Sequence, residues 1–190
     1  MLAYVFWHWP QPTIDKELYQ SNLIEFHQTL GDNKPDGFQH SVVFAVRGAF
    51  WLKTDGLAYE EWYLLDDSAA MDRINYAAVN GPCEVPHNRV ARNAADGIGG
   101  LYRLRHGGEH LSEARIATWF SKPAGVSYPD FDAQMRTVVD AGNSSLWART
   151  MTLGPTTEFC LHSLAEVQLP SDFNAKALSL AAIWSGDAER

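Results

Sequence analysis

The sequence predicts an α+β protein made of two ferredoxin-like β-α-β-β-α-β units, the second of them truncated, with their sheets packed face to face. Segments rich in β-branched and aromatic residues alternate with segments of helical spacing in the order that defines this unit. The second half also resembles the first. Residues 67–81 align without a gap with residues 172–186, sharing Asp, Ala, Ala and Gly at matching offsets, and residues 61–64 align with residues 158–161. Such a repeat indicates one supersecondary unit used twice.

The first unit is predicted over residues 1–105. Strands are expected where aromatic and β-branched residues gather, and helices where apolar residues recur at helical spacing between a capping residue and a glycine. The predicted elements are a strand at 3–9, a helix from Thr13 or Asp15 to Gly31, strands at 39–48 and 58–65, a helix at 66–80, a short extra helix at 86–97 and a strand at 97–104.

A linker is predicted at residues 106–113, and the second unit at residues 114–190. The predicted elements of the second unit are a strand at 114–121, a helix at 127–141, strands at 145–153 and 157–163 around the Gly154-Pro155 turn, and a closing helix at 171–184. Little chain follows that helix, so we expect the second unit to lack its fourth strand.

Composition narrows the class of protein. The chain of 190 residues is 46% apolar and 12% aromatic, which predicts a folded core in one domain or two small ones. The formal charge of −8 is shared evenly between the halves, so nucleic acid and anionic membranes are not expected partners.

Two cysteines are too few for a disulfide framework, and the apolar first residues lack a basic leader and end at Pro10. No apolar run reaches the ~18 residues of a membrane helix, and a cytoplasmic protein is expected.

The element order and the repeat resemble the dimeric α+β-barrel superfamily, in which two ferredoxin-like sheets pack against each other. Members include cofactor-independent monooxygenases, haem proteins, isomerases and proteins without known activity. The resemblance implies a barrel that closes either within the chain or across a homodimer. The missing fourth strand leaves these two alternatives open.

Alternate residues of a strand point to opposite faces of the sheet, which divides the first unit into two sets. The apolar set includes Val5, Trp7, Val42, Phe44 and Trp62, and we expect it to lie under the helices. The other set mixes aromatic and polar side chains, and we expect it to face a small-molecule pocket between the sheets. The members of this set are Tyr4, Phe6, His8, Ser41, Val43, Ala45, Arg47, Tyr59, Glu61, Tyr63, Leu101 and Arg103. By the repeat, Arg149, Glu158, Cys160 and His162 are expected on the equivalent face of the second unit.

This mixture predicts a small-molecule-binding protein, and together with the resemblance it implies a cofactor-independent enzyme of the monooxygenase, isomerase or lyase type. His8 is expected to act as a general base. Arg47 is expected to hold Glu61 ionised, or Arg47 and Glu61 are expected to orient the substrate together. The residues expected to bind the substrate are Tyr59, Tyr63, Arg103 and His87. The competing interpretation is that the charges are ion pairs that hold two packed sheets together, in a binding protein without catalysis.

Two further patterns could bind a prosthetic group or a metal. In a haem-binding member of the superfamily, His87 or His162 would be the axial ligand, although a capping or surface role is the simpler interpretation of His87. The segment from His106 to His110 matches the H-x-x-E-H zinc signature, but two adjacent glycines argue against the helix which that signature requires. We therefore expect neither a metal nor another cofactor.

Overall fold

The computed structural model describes residues 1–108, 111–139 and 143–186, and over these residues the fold is α+β. The elements, in chain order, are β1 Leu2–Pro10, α1 Lys16–Asp32, β2 Phe38–Arg47, β3 Leu57–Leu65, α2 Ala69–Ala78, a 3₁₀ turn Gly81–Cys83, α3 Glu84–Asn93, β4 Ala94–Gly107, β5 Ile116–Phe120, α4 Tyr128–Val138, β6 Ser144–Arg149, β7 Phe159–Ser163, a 3₁₀ turn Ser171–Phe173, β8 Lys176–Ser179 and β9 Ala181–Ser185. Within the described residues, no helix has both the length and the hydropathy that crossing a membrane requires.

The nine strands of the described residues form one antiparallel sheet in the order β8-β5-β7-β6-β4-β1-β3-β2-β9. The strands of the first unit lie in the order β4-β1-β3-β2, and those of the second in the matching order β8-β5-β7-β6. Pairing of β4 with β6 joins the two units. The predicted fold class is confirmed, whereas the division at residues 106–113 stays a prediction.

The barrel is nearly closed by one segment of this same chain. Strand β8 pairs with β5 at one edge of the sheet, and β9, which begins only two residues after β8 ends, pairs with β2 at the other edge. This segment nearly closes the barrel within the chain, which favours that alternative over closure across a homodimer. It also supplies the fourth strand that the second unit was expected to lack.

The predicted closing helix at residues 171–184 is wrong. The segment folds into a 3₁₀ turn followed by β8 and β9. Its alanine content favours a helix, but Leu178 and Leu180 are both buried, at 7% and 5% exposure. Residues two apart share one side of an extended chain and lie on different sides of a helix. Tertiary contacts therefore override the local propensity. What the second unit lacks among the described residues is its second helix, not its last strand.

The sequence repeat does not correspond to repeated structure. Residues 67–81 contain α2, whereas residues 172–186 contain β8 and β9. The aligned strand residues of the repeat point to opposite faces of the sheet. Trp62 lies in the barrel core, whereas its aligned counterpart Phe159 packs with the residues beneath α4. What recurs in the two units is the order of their strands.

The faces of the sheet are the reverse of those expected. The apolar set points into the barrel, where Trp7, Trp62, Trp119 and Trp147 are all fully buried. The set containing His8 and Glu61 lies under the helices instead. Alternation separates two faces but does not say which one the helices cover, and in this fold both faces are buried.

Candidate functional site

A cavity of about 620 Å³ lies between the sheet of the first unit and its helices. It is not the expected pocket between the sheets, because the barrel interior is filled by tryptophans. Its lining residues come from β1, α1, β3, α2, α3 and β4: Tyr4, Phe6, His8, Leu23, Phe26, Glu61, Tyr63, Leu65, Met71, Asp72, Ile74, Asn75, Ala78, His87, Val90, Ala91, Ala94, Ala95, Asp96 and Gly97. A mostly apolar lining with a few polar groups is typical of small-molecule sites.

The floor of the cavity is the part of the sheet formed by Tyr4, Phe6, His8, Glu61 and Tyr63. Neighbouring rings along β1 are nearly parallel, with interplanar angles of 17° between Tyr4 and Phe6 and 20° between Phe6 and His8. This row presents aromatic surface to whatever enters the cavity.

Two glycines of β4 make room for these rings. A Cβ atom at Gly97 would lie 2.5 Å from Cζ of Phe6, and one at Gly99 would lie 2.7 Å from the hydroxyl oxygen of Tyr4. The rings therefore occupy the space that side chains on β4 would fill. This close approach accounts for the glycines of the Gly-Ile-Gly-Gly segment that begins at Gly97.

Glu61 is the centre of a buried polar network. His8 Nε2 hydrogen-bonds to its Oε1 and the Tyr63 hydroxyl donates to its Oε2. His27 Nε2 lies 3.4 Å from Oε2. Glu61 is only 3% exposed, so these contacts replace the water that a carboxylate requires.

The network continues from Glu61 into α1 and β2. The other imidazole nitrogen of His8, Nδ1, lies 2.6 Å from the Tyr19 hydroxyl, and His27 Nδ1 lies 2.8 Å from the Ser41 hydroxyl. Tyr19 can donate to Nδ1 while Nε2 donates to Glu61. Both imidazole nitrogens of His8 are therefore engaged in hydrogen bonds.

The electrostatics of the network keep Glu61 charged and the tyrosines neutral. Burial alone would raise the pKa of Glu61, but the charge and hydrogen bonds of His8 and His27 together outweigh it and hold that pKa below its usual range. Burial and the neighbouring Glu61 carboxylate raise the pKa values of Tyr19 and Tyr63 well above the ordinary value. Both hydroxyls therefore stay protonated.

Four of the residues predicted for the site line the cavity: His8, Glu61, Tyr63 and His87. Tyr59 is buried directly behind His8, with ring centroids 5.6 Å apart, and does not line it. The roles proposed for these residues from the sequence stay predictions.

Arg47 and Arg103 are not brought to the cavity. Both are exposed, and neither belongs to its lining. The residue of β2 that pairs with Glu61 is Val43, four positions before Arg47, which places Arg47 roughly 13 Å farther along the strand. The expected partner of Glu61 is thus replaced by two histidines.

Sequence analysis missed Tyr19 and His27 as members of the site. Both lie on the buried face of α1, together with Leu23, Phe26 and Leu30. These five positions follow helical spacing, so an apolar stripe traced through Tyr19, Leu23 and Leu30 places His27 on the buried side of the helix. A histidine in such a stripe requires a polar partner.

A second buried carboxylate faces the barrel interior. Glu60 accepts hydrogen bonds from Trp7 Nε1 at 2.7 Å and from Trp62 Nε1 at 2.6 Å. His162 Nε2 lies 3.8 Å from Glu60 and 3.9 Å from Cys160 Sγ. Cys160 and His162 therefore face the space between the sheets, as expected, but His8 and Glu61 lie on the opposite, helix-covered face, so the equivalence of the two faces drawn from the repeat is wrong.

The residues present do not fit haem. His162 is 1% exposed and packs against Trp62, with ring centroids 4.6 Å apart, which leaves no room for a macrocycle. His87 does line the cavity, but the described lining contains no Lys or Arg to pair with the two carboxylates of haem.

The zinc signature falls partly outside the described residues, which exclude Glu109 and His110. His106 lies at the end of β4, where its Nε2 pairs with Asp132 at 2.9 Å. Among the described residues, no cluster of three or more His, Cys, Asp or Glu side chains could hold a metal ion.

Replacing Gly97 with alanine should weaken ligand binding. The added methyl group would push the Phe6 ring into the cavity, and we expect at least a fivefold rise in the Kd of an aromatic ligand such as 2-naphthalenemethanol, measured by calorimetry, because the stacking surface is lost. Gly31→Ala is the matched control, since a Cβ there meets nothing within 4 Å. Equal Kd values for the two variants would refute the role assigned to Gly97.

Tyr59 should make the protein sensitive to alkali. Burial raises the pKa of Tyr59 to about 12, although Arg47 acts in the opposite direction. Between pH 10 and 12 the unfolded chain loses the phenolic proton that the folded chain keeps, so stability falls by up to about 1.4 kcal/mol per pH unit. In Tyr59→Phe this contribution is absent, and denaturation followed from pH 9 to pH 12 should show a shallower fall. Identical slopes in the two proteins would contradict the assignment.

Comparison with known proteins finds similar solved structures. No protein-family model matches the sequence, and no curated protein matches it. A proposed monooxygenase from Lactobacillus acidophilus NCFM superposes with a TM-score of 0.60 at 8% identity, covering 97% of this chain and 95% of that one. An anthrone oxidase-like protein superposes with a TM-score of 0.51 at 10% identity, covering 97% and 92%. The chain has the fold of the dimeric α+β-barrel superfamily. A chlorite dismutase variant from Candidatus Nitrospira defluvii gives a TM-score of 0.48 at 10% identity over 96% and 92%. At such identities the likeness shows the fold alone.

Proposed function

We propose that the protein binds a mostly apolar small molecule in the cavity between sheet and helices and removes a proton from it without a cofactor. The observation that carries this proposal is an ionised carboxylate, Glu61, at the floor of an otherwise largely apolar cavity. A buried, perturbed acid in a cleft is a candidate for acid–base chemistry.

Glu61 is the base in this proposal. Among the described residues Oε1 accepts from His8 alone, while Oε2 faces both Tyr63 and His27. A carboxylate has about four acceptor positions, so Oε1 keeps one for an acidic C–H or O–H of the ligand. The displacement of water by an apolar ligand works against the lowered pKa of Glu61, because burial acts to raise that pKa.

His8 positions Glu61 in this scheme rather than acting as the base itself. Both of its nitrogens are already engaged, with Glu61 and with Tyr19. Its hydrogen bond fixes the carboxylate and stabilises the ionised form before the ligand arrives. The expectation that His8 takes the proton directly stays a prediction.

Tyr63 is suited to stabilise the negative charge that forms on the ligand. Its hydroxyl keeps its proton, lines the cavity and points at Glu61. As Glu61 gains a proton and becomes a weaker acceptor, the Tyr63 hydroxyl can turn to an oxyanion of the ligand.

Proton removal is the step shared by cofactor-independent monooxygenases, isomerases and lyases. In the first class the resulting carbanion passes electrons to O₂, and in the others it is protonated elsewhere or expels a leaving group. Two structures with the same fold, a proposed monooxygenase and an anthrone oxidase-like protein, favour the first class.

Anthrone is a suitable probe, because its methylene hydrogens are acidic and its oxidation is balanced by O₂ alone, which yields anthraquinone and water. We expect the protein to accelerate hydrogen–deuterium exchange at the methylene group without oxygen, and O₂ uptake in air. Glu61→Gln should slow exchange by about 10²- to 10⁴-fold, the usual contribution of a general base.

The matched control is Glu25→Gln, which removes a carboxylate that pairs with Arg89 on the surface. It should exchange anthrone hydrogens at the wild-type rate, and His8→Ala should be slower than wild type. Exchange at the buffer rate in all four proteins would refute the proposed catalysis. Binding of anthrone without exchange would instead favour a non-catalytic binding protein.

Titration with hemin addresses the haem alternative. Because the described cavity lining is acidic and His162 is enclosed by aromatic rings, we expect no shift of the Soret band on adding one equivalent of hemin. A saturable shift that disappears in His87→Ala would contradict this expectation and place haem in the cavity.

A further inference from the structure

The mouth of the cavity carries negative charge. It is formed by the exposed lining residues Asp72, Asn75, Ala91, Ala95 and Asp96. Neither the mouth nor the rest of the described lining contains Lys or Arg. With a formal charge of −8 on the whole chain, the local and the overall fields have the same sign.

The carboxylates at the mouth are available to a ligand. No hydrogen bond or ion pair joins Asp72 to any other described side chain, and Asn75 lies one helical turn beyond it on the same side of α2. The described contact of the Asp96 side chain is local, since its Oδ1 accepts from the backbone N–H of Gly97 at 2.8 Å. Asp96 therefore keeps most of its acceptor capacity.

Aromatic faces line the path from the mouth to the floor. Tyr4 and Phe6 are partly exposed where they lie over Gly97 and Gly99, and Phe26 and Tyr63 add two more rings to the lining. Ring faces attract cations through their quadrupole, and they stack on planar molecules. Carboxylates together with aromatic rings are the chemistry that recognises an amine cation.

We propose that the cavity selects a planar aromatic ligand that carries a positively charged amine at its outer end, near Asp72 and Asp96. The inference rests on the proposed function, because it names the class of molecule that enters the same cavity. The aromatic body lies on Phe6 and Tyr4, the reacting C–H or O–H faces Glu61, and the amine remains at the mouth. Anionic aromatic molecules are disfavoured by all three carboxylates.

Three naphthalene probes that differ only in charge test this proposal: 2-naphthylmethylamine, 2-naphthalenemethanol and 2-naphthoate. Dissociation constants would be measured by calorimetry at low and high salt. We expect the amine to bind about five- to tenfold more tightly than the alcohol and the carboxylate to bind more weakly than both, with the preference reduced by salt.

Variants that remove the charge of each aspartate test whether the preference for the amine arises at the mouth of the cavity. Asp72→Asn and Asp96→Asn should each reduce the ratio of amine to alcohol affinity, and the double variant should bring it close to one. Asp55→Asn is the control, because Asp55 is exposed in the connection between β2 and β3 and lies outside the lining.

The outcomes separate this inference from the proposed function. Equal affinity for amine and alcohol, or a ratio unchanged in the double variant, overturns the charge preference and leaves proton removal by Glu61 intact. Amine selectivity that depends on Asp72 and Asp96 upholds the inference even if anthrone exchange is not accelerated. Failure of all three probes to bind overturns it.

Discussion

Replacing Glu61 with alanine should lower the free energy of unfolding by about 3–5 kcal/mol, the cost of breaking a buried charged network by removing one partner. The change leaves His8, His27 and Tyr63 facing a space without an acceptor, at positions that are at most 6% exposed. Denaturation with urea at pH 7 measures the effect.

The control for this prediction is Glu25→Ala. Glu25 also pairs with a cation, Arg89, at 2.7 Å, but both side chains are about half exposed. Exposed pairs contribute up to about 1 kcal/mol. Equal losses of stability in the two variants would mean that the Glu61 network contributes no more than a surface ion pair, against the buried arrangement described above.

Replacing Trp62 with alanine should be equally severe, with a loss of about 3–5 kcal/mol from the cavity left behind. Its ring packs against Trp147 at 5.2 Å and His162 at 4.6 Å between centroids, and its indole N–H holds Glu60. The variant removes packing and one of two hydrogen bonds to a fully buried carboxylate. Thermal or urea denaturation of the purified variant measures the loss.

Two companion variants make the Trp62 prediction specific. Trp62→Phe keeps an aromatic ring but loses part of the indole together with the donor to Glu60, so it should cost less than the alanine variant, about 1.5–3 kcal/mol. Tyr76→Ala changes an aromatic residue that is 69% exposed, and should stay within about 0.5 kcal/mol of wild type. If Trp62→Ala behaved like Tyr76→Ala, the tryptophan-filled barrel could not be the main core.

The sequence was sufficient to group the residues of the sheet, because strand alternation is local. His8, Glu61 and Tyr63 were assigned to one face and do lie together at the floor of the cavity. The direction of that face could not be predicted. Closure by β8 and β9 buries the opposite face as well, and both faces are therefore rich in aromatic residues.

Long-range register explains the misassigned partners of Glu61. Arg47 shares its face in the alternation pattern, but pairing of β2 with β3 places Val43 opposite Glu61. His27 was missed because it reaches Glu61 from a helix, and the helical phase depended on which apolar residues were chosen to define the stripe. Neither contact follows from the spacing along a single element.

The closing segment shows where local propensity fails. Its alanines favour a helix, while the unpaired edges of β5 and β2 require strands. Backbone groups at an open edge gain hydrogen bonds from any extended chain within reach. The alternation of Leu178 and Leu180 was the signal that could have identified this segment as β-structure.

The central claim is that the cavity between sheet and helices is the ligand site, with Glu61 at its floor. A crystal structure of the protein with anthrone, prepared without oxygen, tests it most directly. We expect the ring system to lie over Phe6 and Tyr4, with its methylene carbon directed at Oε1 of Glu61. Anthrone bound inside the barrel or on the outer surface, with the cavity empty at saturating concentration, would contradict it.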